Sequence, residues 1–394
     1  MYFVTFILKN LTRRPTRTAL TVLGLSVSVG SMIALLGISE NFRESMRDTF
    51  EKRGVDLVGV ASGAADQLSS EVDESVVDAV RGMPEVAGVD AALVDLSEMT
   101  LREPRDESDT PPSLQVLIQA WLPENFGYSD LDVLSGRSLT PADAGQYLCM
   151  VGHKFAENND KKVGDTIAIL RHKFTIVGVF KSFNLYENGC IITNLKEYQD
   201  LSGRKRKVTG FSLRVHKTSP DPDADVEAVR QKILALRDPD GKPYRVAVER
   251  PEKYLNNSAH LRIATAMAWV VSLVALLIGV ISMMNTMAMA VLERTQEIGI
   301  LRAVGWPRGR VVRMVLGEAI LLGVAAAVVG AVGAVVTTHL LALSPKVNGF
   351  IEGGVAPAVV AQGFAITVAI GLLGGAYPAF RAARLLPTEA IRHD

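Results

Sequence analysis

Residues 263–292 read IATAMAWVVSLVALLIGVISMMNTMAMAVL, a run of 30 consecutive residues without a charged side chain. A transmembrane helix needs about 20 apolar residues to cross a hydrocarbon core about 30 Å thick. The run is long enough to span a bilayer, and its excess residues must tilt or extend past the core. The segment 293–305, ERTQEIGILRAVG, follows directly and carries charges of both signs. We therefore expect it to form a short structured element at the membrane surface.

Three further apolar runs predict additional transmembrane helices. Each meets the length criterion, and none contains an internal Asp, Glu, Lys or Arg. The first is longer than the apolar part of a secretory signal, so we interpret it as a retained anchor. The predicted spans are residues 18–39, 263–292, 316–340, whose uncharged part is 319–338, and 355–380.

The distribution of Lys and Arg predicts the orientation of these spans. The leader 1–17, the loop 293–315 and the tail 381–394 together hold 12 basic and 4 acidic residues. By the positive-inside rule, these three segments are cytoplasmic. Residues 40–262 hold 29 basic and 36 acidic residues and belong outside the cytoplasm, as does the short loop 341–354. The leader is expected to lie in the membrane plane as an amphipathic helix.

The composition argues against several functional classes. Basic residues follow the membrane edges instead of forming a patch on a soluble domain, so no nucleic-acid partner is expected. The six histidines are scattered, without metal-ligand spacing to one another or to cysteine. We predict no catalytic residue, no metal site and no cofactor bound directly by this chain. Membrane lipids are the expected surroundings of the four spans.

Cys149 and Cys190 are the only cysteines. Both lie in apolar stretches of the external segment, where an oxidising compartment permits a disulfide. Two buried small side chains are the alternative that we favour. A count of free thiols on the non-reduced protein distinguishes the two.

The external segment 40–262 is long enough to bury its own core, and its pattern predicts an α+β domain. A helix continues the first span, since Phe42, Met46 and Phe50 recur at helical spacing. Residues 122–204 read mostly as short strands and are predicted to form an inserted part. The other predicted elements are strands at 55–61, 86–94, 114–121, 211–215 and 244–248, helices at 70–81 and 223–236, a hairpin at 163–180, and a loop at 102–112.

Several motifs resemble those of one membrane protein family. The segment 293–305 is similar to the cytoplasmic signature of the MacB/FtsX-type ABC permeases, and residues 377–392, YPAFRAARLLPTEAIR, look like their C-terminal motif. Residues 10–25 resemble their entry into the first span, and the hairpin at 164–179 is similar to part of the external domain of MacB-like members. The resemblance covers nearly the whole chain.

This resemblance implies a fold and an assembly. The fold is a membrane protein with an α-helical four-span transmembrane domain. A large α+β periplasmic domain, with a porter-like part and an inserted β-rich part, lies between spans one and two. The protein would reside in the bacterial inner membrane, where a homodimer of permeases pairs with two copies of an ABC ATPase. A periplasmic adaptor and an outer-membrane channel are further expected partners. The family's mechanism is mechanotransmission, in which ATP-driven movement of the spans moves the external domains.

ATP is expected to act through a separate protein. MacB itself carries its ATPase on the same chain, whereas this sequence contains no G-x-x-x-x-G-K-[ST] loop to cradle ATP phosphates. We therefore expect the ATPase activity to reside in a partner subunit. This chain would be the permease subunit and not an enzyme.

The middle cytoplasmic loop contains the candidate residues for coupling to that ATPase. They are Glu297, Ile298, Leu301, Arg302 and Gly305. In a helix over residues 295–303, the two apolar members share one side, and the two charged members are placed for contacts at its flank. The glycine, followed by Trp306 and Pro307, ends the helix. The resemblance implies that this helix docks in the ATPase, and a helix merely lying on lipid is the alternative.

Other residues of the membrane segments suggest contacts or packing. Arg381 and Arg384, on one helical face after Pro378, are candidates for contact with the ATPase or with inner-leaflet phosphates. Small residues spaced four apart predict close helix packing, within one chain or across a dimer. The packing residues are Gly323, Gly330, Gly371 and Gly375. Glu318 and His339 lie near the ends of span three, and we interpret both as structural.

Three functions share this layout. Our main interpretation is an exporter that expels a periplasmic or membrane-derived substrate. A lipoprotein-releasing permease is an alternative, and an FtsX-like regulator that activates a cell-wall hydrolase is an alternative of another class. The large external segment favours the exporter over the regulator. Genes beside this one would discriminate among the three, and the sequence leaves open the substrate and whether the partner permease is identical.

Overall fold

The computed structural model of the protein describes residues 15–64, 67–101, 113–184, 186–238, 240–343 and 354–385. Most of the leader, the loop predicted at 102–112, most of the short loop 341–354 and the tail from residue 386 lie outside these ranges. The described chain forms two compact units. The membrane unit comprises residues 15–41, 264–341 and 354–385, and the external domain comprises residues 42–263.

The helices follow the hydrophobic pattern of the sequence. In the described chain they are α1 (Pro15–Lys52), α2 (Glu74–Arg81), α3 (His153–Asn158), α4 (Leu195–Ser202), α5 (Pro222–Leu234), α6 (Pro251–Asn257), α7 (Ala259–Glu293), α8 (Thr295–Ala303), α9 (Arg308–Ala342) and α10 (Pro357–Arg384). Four of them, α1, α7, α9 and α10, are long and apolar enough to cross a membrane. They correspond to the four apolar runs, which confirms the predicted number of spans.

Helix α1 extends well past its apolar run. The predicted continuation of the first span is confirmed, because the helix runs to Lys52 without a break. Its Phe42 ring contacts Tyr186 edge-on, with ring centroids 5.9 Å apart, and its Phe50 ring contacts Tyr254 in the same way at 6.1 Å. Such edge-to-face pairs add to the burial of the rings. The last turns of α1 are thereby part of the packing of the external domain.

Strands form the centre of the external domain. They are β1 (Leu57–Ala61), β2 (Val72–Asp73), β3 (Val86–Thr100), β4 (Ser113–Trp121), β5 (Asp132–Gly136), β6 (Leu148–Gly152), β7 (Thr166–Ile169), β8 (His172–Lys181), β9 (Ile191–Asn194), β10 (Lys207–Val208), β11 (Gly210–Val215) and β12 (Val246–Glu249). Strands β2 and β10 pair with each other, and the rest share a sheet of order β12-β1-β11-β3-β4-β9-β6-β8-β5. Strand β7 pairs with both β3 and β8, so β3, β4, β9, β6, β8 and β7 form a closed ring.

Strand β3 connects the two parts of this sheet. The sequence predicts a strand over 86–94, whereas the structure extends it to Thr100. Its first half pairs with β11, its last residues pair with β7, and β4 pairs along most of its length. Asp95, Ser97 and Glu98 are weak strand formers, so the extension depends on pairing with neighbouring strands. The strands of the predicted inserted part, 122–204, therefore continue the same sheet as the rest of the domain.

The helix predicted over 70–81 begins later in the structure. Residues 72–73 form β2 and pair with β10, and α2 starts at Glu74. The Asp73 carboxylate accepts a hydrogen bond from the Ser75 backbone N–H at 3.1 Å. This is a standard N-cap, which stabilises the start of the helix and explains why the acidic residues cluster there.

The predicted hairpin is confirmed. Strands β7 and β8 are antiparallel, and Ile169 pairs with His172 across a two-residue turn. The turn residues, Leu170 and Arg171, have φ values of 48° and 65°. Positive φ at both central residues matches the twist of the flanking strands, although the sequence lacks the Asn-Gly pair that usually signals such a turn.

Cys149 and Cys190 are buried and free in the structure. Cys149 lies in the core layer that contains Val151, whereas Met150 between them faces the other layer, together with Cys190 and Ile192. A disulfide needs two side chains that face each other across a short distance, so these two thiols on opposite faces of the sheet cannot bridge. Burial raises the pKa of both thiols well above the ordinary value. The expectation of two buried small side chains is the one that the structure supports.

Candidate coupling site

Helix α8 is a short helix held between two membrane helices. The chain leaves α7 at Glu293, and the Ile298 backbone N–H donates to the Arg294 carbonyl at 3.0 Å to begin the new helix. At the other end, the Trp306 N–H donates to the Leu301 carbonyl at 3.0 Å. Gly305 has a φ of +101°, a conformation that favours glycine and ends the helix where the sequence predicts.

The two faces of α8 differ in exposure. Ile298 is 2% exposed and packs in the apolar core of the membrane unit. Ile300 and Val304, four residues apart, are 51% and 78% exposed. Apolar residues spaced by four lie on one helical face, so α8 presents a small apolar surface opposite its buried anchor. The spacing is visible in the sequence, and sequence reasoning missed its significance.

The two apolar residues predicted for coupling, Ile298 and Leu301, therefore differ in exposure. Ile298 holds the helix in place, and Leu301 is half-buried. Both of these side chains are less exposed than those of Ile300 and Val304. Ile300 and Val304 are the large apolar side chains that this segment exposes most.

An arginine joins α8 to the neighbouring helices. The Arg294 guanidinium contacts the Glu297 carboxylate at 3.1 Å and the Glu318 carboxylate of α9 at 2.9 Å. The Glu318 side chain is only 6% exposed, so this pair is largely shielded from water. Arg17 of α1 also forms an ion pair with Glu293 at the end of α7. The structural partner of Glu318 is thus Arg294. The two residues are 24 positions apart, and the sequence alone did not identify the pair.

The other charged candidate closes the turn after α8. Arg302 donates to the Trp306 carbonyl at 3.2 Å. The Arg310 guanidinium lies 5.0 Å from the centre of the Trp306 ring, within the range of a cation–π contact. The structure therefore does not pair Arg302 with Glu297, and the two predicted flank residues have separate local roles.

Arg381 and Arg384 are exposed in the last turn of α10. Pro378, inside the same helix, is buried. Two cations three residues apart share a face and complement the negative end of the helix dipole. This position is compatible with either of the expected contacts, with an ATPase or with lipid phosphates.

Each predicted packing glycine lies at a crossing of two helices within the chain. A Cβ added at Gly330 would lie 2.9 Å from the Ser26 carbonyl oxygen of α1, and one at Gly371 would lie 3.1 Å from the Ala319 carbonyl oxygen of α9. The remaining two are Gly323, against Thr367, and Gly375, against Ala319. Small residues permit this close backbone approach.

A second charged cluster, which sequence reasoning missed, lies in the external domain. Arg53 directly follows α1, and its guanidinium donates to both Glu187 carboxylate oxygens at 2.8 Å. The two side chains are 10% and 3% exposed. The Ser182 hydroxyl also donates to Glu187, at 2.7 Å, and Arg214 donates to the Arg53 carbonyl at 2.6 Å. Burial lowers the pKa of Arg53, but the nearby carboxylates of Glu187, Asp90 and Asp130 together raise it by more, so the guanidinium stays charged.

The charged side chains of the described ranges form no evident metal centre. No group of three or more His, Cys, Asp or Glu residues there is arranged to hold a metal ion. The arginine pairs of both units are contacts between protein groups.

Comparison with known protein families identifies the family of this chain. The profile of the MacB-like periplasmic core domain matches residues 18–236, and that of the FtsX-like permease C-terminal domain matches residues 269–387. The chain belongs to the MacB/FtsX-type ABC transporter permeases. The second match includes α8 and its flanking helices, so the loop that resembled the family's cytoplasmic signature lies within the permease domain of that family.

Several relatives match this permease along its length. An uncharacterised ABC transporter permease of Methanocaldococcus jannaschii is 26% identical over 406 residues, covering 99% of this chain and 98% of the relative. The uncharacterised ABC transporter permease YknZ of Bacillus subtilis is 24% identical over 401 residues, covering 96% and 95%. The macrolide export ATP-binding/permease protein MacB of an Azoarcus species is 25% identical over 387 residues, covering 96% of this chain and 57% of MacB.

Two solved structures resemble the external part. The periplasmic region of MacB from Actinobacillus actinomycetemcomitans has 12% identity and a TM-score of 0.40, covering 51% of this chain and 92% of that structure. The extracellular domain of YknZ from Gram-positive bacteria has 14% identity and a TM-score of 0.38, covering 50% and 100%.

Proposed function

We propose that this permease couples ATP hydrolysis by a separate ATPase subunit to movement of its external domain, and thereby exports a periplasmic or membrane-derived substrate. The observation that carries the proposal is the division of α8 into a buried anchor and an exposed apolar face. Ile298 holds the helix in the membrane unit, and Ile300 with Val304 offers a contact surface. A helix exposed on one side and fixed on the other is suited to receive force from a partner protein.

The surroundings of α8 support transmission of that force. Arg294 ties the helix to Glu318 of α9 at 2.9 Å, and the chain joins it directly to α7. Arg17 of α1 pairs with Glu293 at the end of α7. A displacement of α8 therefore acts on three membrane helices through covalent and ionic contacts. The positive-inside rule supports a cytoplasmic position for α8, where an ATPase would be found.

Helix α1 supports the delivery of movement to the external domain. It is one continuous helix from Pro15 to Lys52, and its last turns pack in the external domain. Arg53, the next residue, is fastened to Glu187 by two hydrogen bonds of 2.8 Å. A shift of the α1 end would thus reach the segment around Glu187 through a bidentate pair, which resists both rotation and sliding.

We further propose an assembly, on the basis of the resemblance to the family. We expect two ATPase copies and a permease homodimer in a bacterial inner membrane, with both termini cytoplasmic, and an adaptor and outer-membrane channel as further partners. MacB relatives are described as ATP-binding/permease proteins, and this chain spans 57% of the Azoarcus relative. The sequence contains no phosphate-binding loop of the G-x-x-x-x-G-K-[ST] type, which supports a separate ATPase.

Copurification from native membranes tests the proposed docking surface. The full chain is tagged, purified in mild detergent and analysed by mass spectrometry for an ABC ATPase. We expect Val304→Asp to lower ATPase recovery by about tenfold, because a carboxylate in an apolar contact loses its hydration without a partner. Leu134→Asp is the matched control, since Leu134 is also exposed, at 53%, but lies on β5 of the external domain. Equal ATPase recovery with both variants would refute docking through this face.

A further inference from the structure

The external domain contains a small pocket beside the last turns of α1. Its volume is about 110 Å³. Its apolar walls include Met46, Phe50, Trp121 and Phe211. The charged lining residues in the described part of the chain are Arg53, Asp90 and Glu187. A concave site with aromatic walls and a few polar groups is the usual form of a small-molecule site.

The charges around the pocket are not balanced. Arg53 is matched by Glu187 through two hydrogen bonds of 2.8 Å. Asp130 lies 3.6 Å from Arg53 and 3.8 Å from Arg214, so two guanidinium groups share these two carboxylates. Asp90 is a third carboxylate in the same cluster. When it is ionised, these five side chains, counted among the residues that the structure describes, carry one negative charge in excess.

Asp90 also has an unused acceptor. Its Oδ2 accepts a hydrogen bond from the Gly127 backbone N–H at 3.0 Å. Its Oδ1 is shielded from solvent and accepts no hydrogen bond from the residues that the structure describes. Burial raises the pKa of Asp90 to about 7, against the opposing effect of Arg53. An ionised carboxylate that lines a pocket with only part of its hydrogen-bonding capacity used favours a cationic donor there.

We propose that this pocket binds a small organic cation, namely a primary ammonium group attached to a compact apolar or aromatic group. The ammonium would lie beside the Asp90 carboxylate, which lines the pocket, and neutralise the excess charge. The apolar part would lie against the aromatic walls formed by Phe50, Trp121 and Phe211. A neutral ligand would leave the charge unmatched, and an anion would oppose it. The site stands on contacts within the external domain and is independent of docking by an ATPase.

Binding of three probes of similar shape tests the proposal. They are benzylammonium, benzyl alcohol and benzoate, added to the purified full chain carrying Trp269→Phe and Trp306→Phe, so that Trp121 fluorescence reports on the pocket. We expect saturable binding of benzylammonium, at least about tenfold tighter than that of either other probe. Benzyl alcohol binding as tightly as benzylammonium would overturn the proposal, and so would the absence of a saturable benzylammonium response.

A pH series and a pair of variants identify the group responsible. Asp90 loses its charge below its pKa, so benzylammonium affinity should weaken as the pH falls from about 8 to about 6. Asp90→Asn keeps the shape of the side chain and should weaken binding by at least about tenfold and remove this pH dependence. Asp132→Asn, an exposed carboxylate on β5, is the matched control and should leave both unchanged. Unchanged affinity in Asp90→Asn would overturn the proposal, as would a flat wild-type pH profile.

Discussion

The two units of the molecule each contain a shielded arginine–carboxylate pair, and the two pairs occupy equivalent places in the chain. Arg53 directly follows α1 and contacts Glu187 in the external domain, whereas Arg294 directly follows α7 and contacts Glu318 in the membrane unit. In both, the residue just beyond a long membrane helix fastens the helix end to another element.

The pairs differ in how completely they are enclosed. Arg53 makes two hydrogen bonds to Glu187, and its side chain is 10% exposed. Arg294 makes one hydrogen bond to Glu318, shares its charge with Glu297, and is 19% exposed. The first pair is built as a fixed attachment. The second leaves its arginine closer to solvent.

The largest effect is expected from breaking the external pair. Glu187→Gln leaves the Arg53 guanidinium buried without its counter-charge, which should lower the free energy of unfolding of the external domain by about 3 to 5 kcal/mol. Denaturant unfolding of the full chain carrying Trp269→Phe and Trp306→Phe, followed by Trp121 fluorescence, measures this. The double variant Arg53→Met with Glu187→Leu removes both charges and should recover most of the loss. A single variant as stable as the wild type would contradict the description of the pair as a fixed attachment.

A smaller effect is expected from the membrane pair. Glu318→Gln should lower stability by about 1.5 to 3 kcal/mol, the range for a hydrogen bond to a charged group, because Arg294 retains Glu297 as a partner. Thermal unfolding in detergent of the chain carrying Trp121→Phe and Trp269→Phe, followed by Trp306 fluorescence, measures it. Glu293→Gln provides the control, since the Arg17–Glu293 pair is more exposed. If Glu318→Gln proved more damaging than Glu187→Gln, the ranking of the two pairs would be wrong.

Acid should weaken a third ion pair, which lies in the external domain. The Arg137 guanidinium donates to both oxygens of Asp143 and lowers the pKa of this carboxyl to about 2. A lowered folded-state pKa contributes stability above the unfolded value of 3.8 that is lost as the pH falls toward 2. Screening at the half-exposed Arg137 limits this to about 1 to 2 kcal/mol. Asp143→Asn should remove that part of the acid sensitivity, and an unchanged profile between pH 4 and 2 would count against it.

The smallest effect on stability is expected at the flank of α8. Glu297→Lys and Arg302→Glu reverse charges that are partly exposed, so each should change stability by less than about 1 kcal/mol. We nevertheless expect both variants to uncouple ATP hydrolysis from transport, because they alter the element proposed to meet the ATPase. Parallel assays of ATP hydrolysis and substrate export in reconstituted vesicles measure the coupling. Wild-type coupling in both variants would show that these charges have no part in it.

Local patterns predicted the elements whose signals lie within a few residues. Apolar run length identified four spans, and strand alternation identified the β7–β8 hairpin. Gly305 ended α8 as expected, because a single glycine conformation determines that turn. The spacing of Ile300 and Val304 also predicts a shared face, whereas the sequence analysis assigned the apolar contact to Ile298 and Leu301.

Contacts between distant residues could not be read from the sequence. Arg53 and Glu187 are 134 positions apart, and no motif near either residue indicates a contact with the other. The extension of β3 through Asp95 and Glu98 depends on pairing with β4 and β7, which overrides weak strand propensity. Such features require knowledge of which strands are neighbours, and a single sequence does not contain it.

A distance measurement across the external domains tests the central claim that force entering at α8 moves them. Ser135→Cys on β5 gives an exposed site for a spin label, while the native cysteines are buried. Electron paramagnetic resonance then compares distances between labels in the reconstituted complex with its ATPase, before and after trapping with ATP and vanadate. We expect the distance distribution to shift in the wild type and to stay unchanged in Val304→Asp. An unchanged distribution in a wild-type complex that hydrolyses ATP would contradict the account.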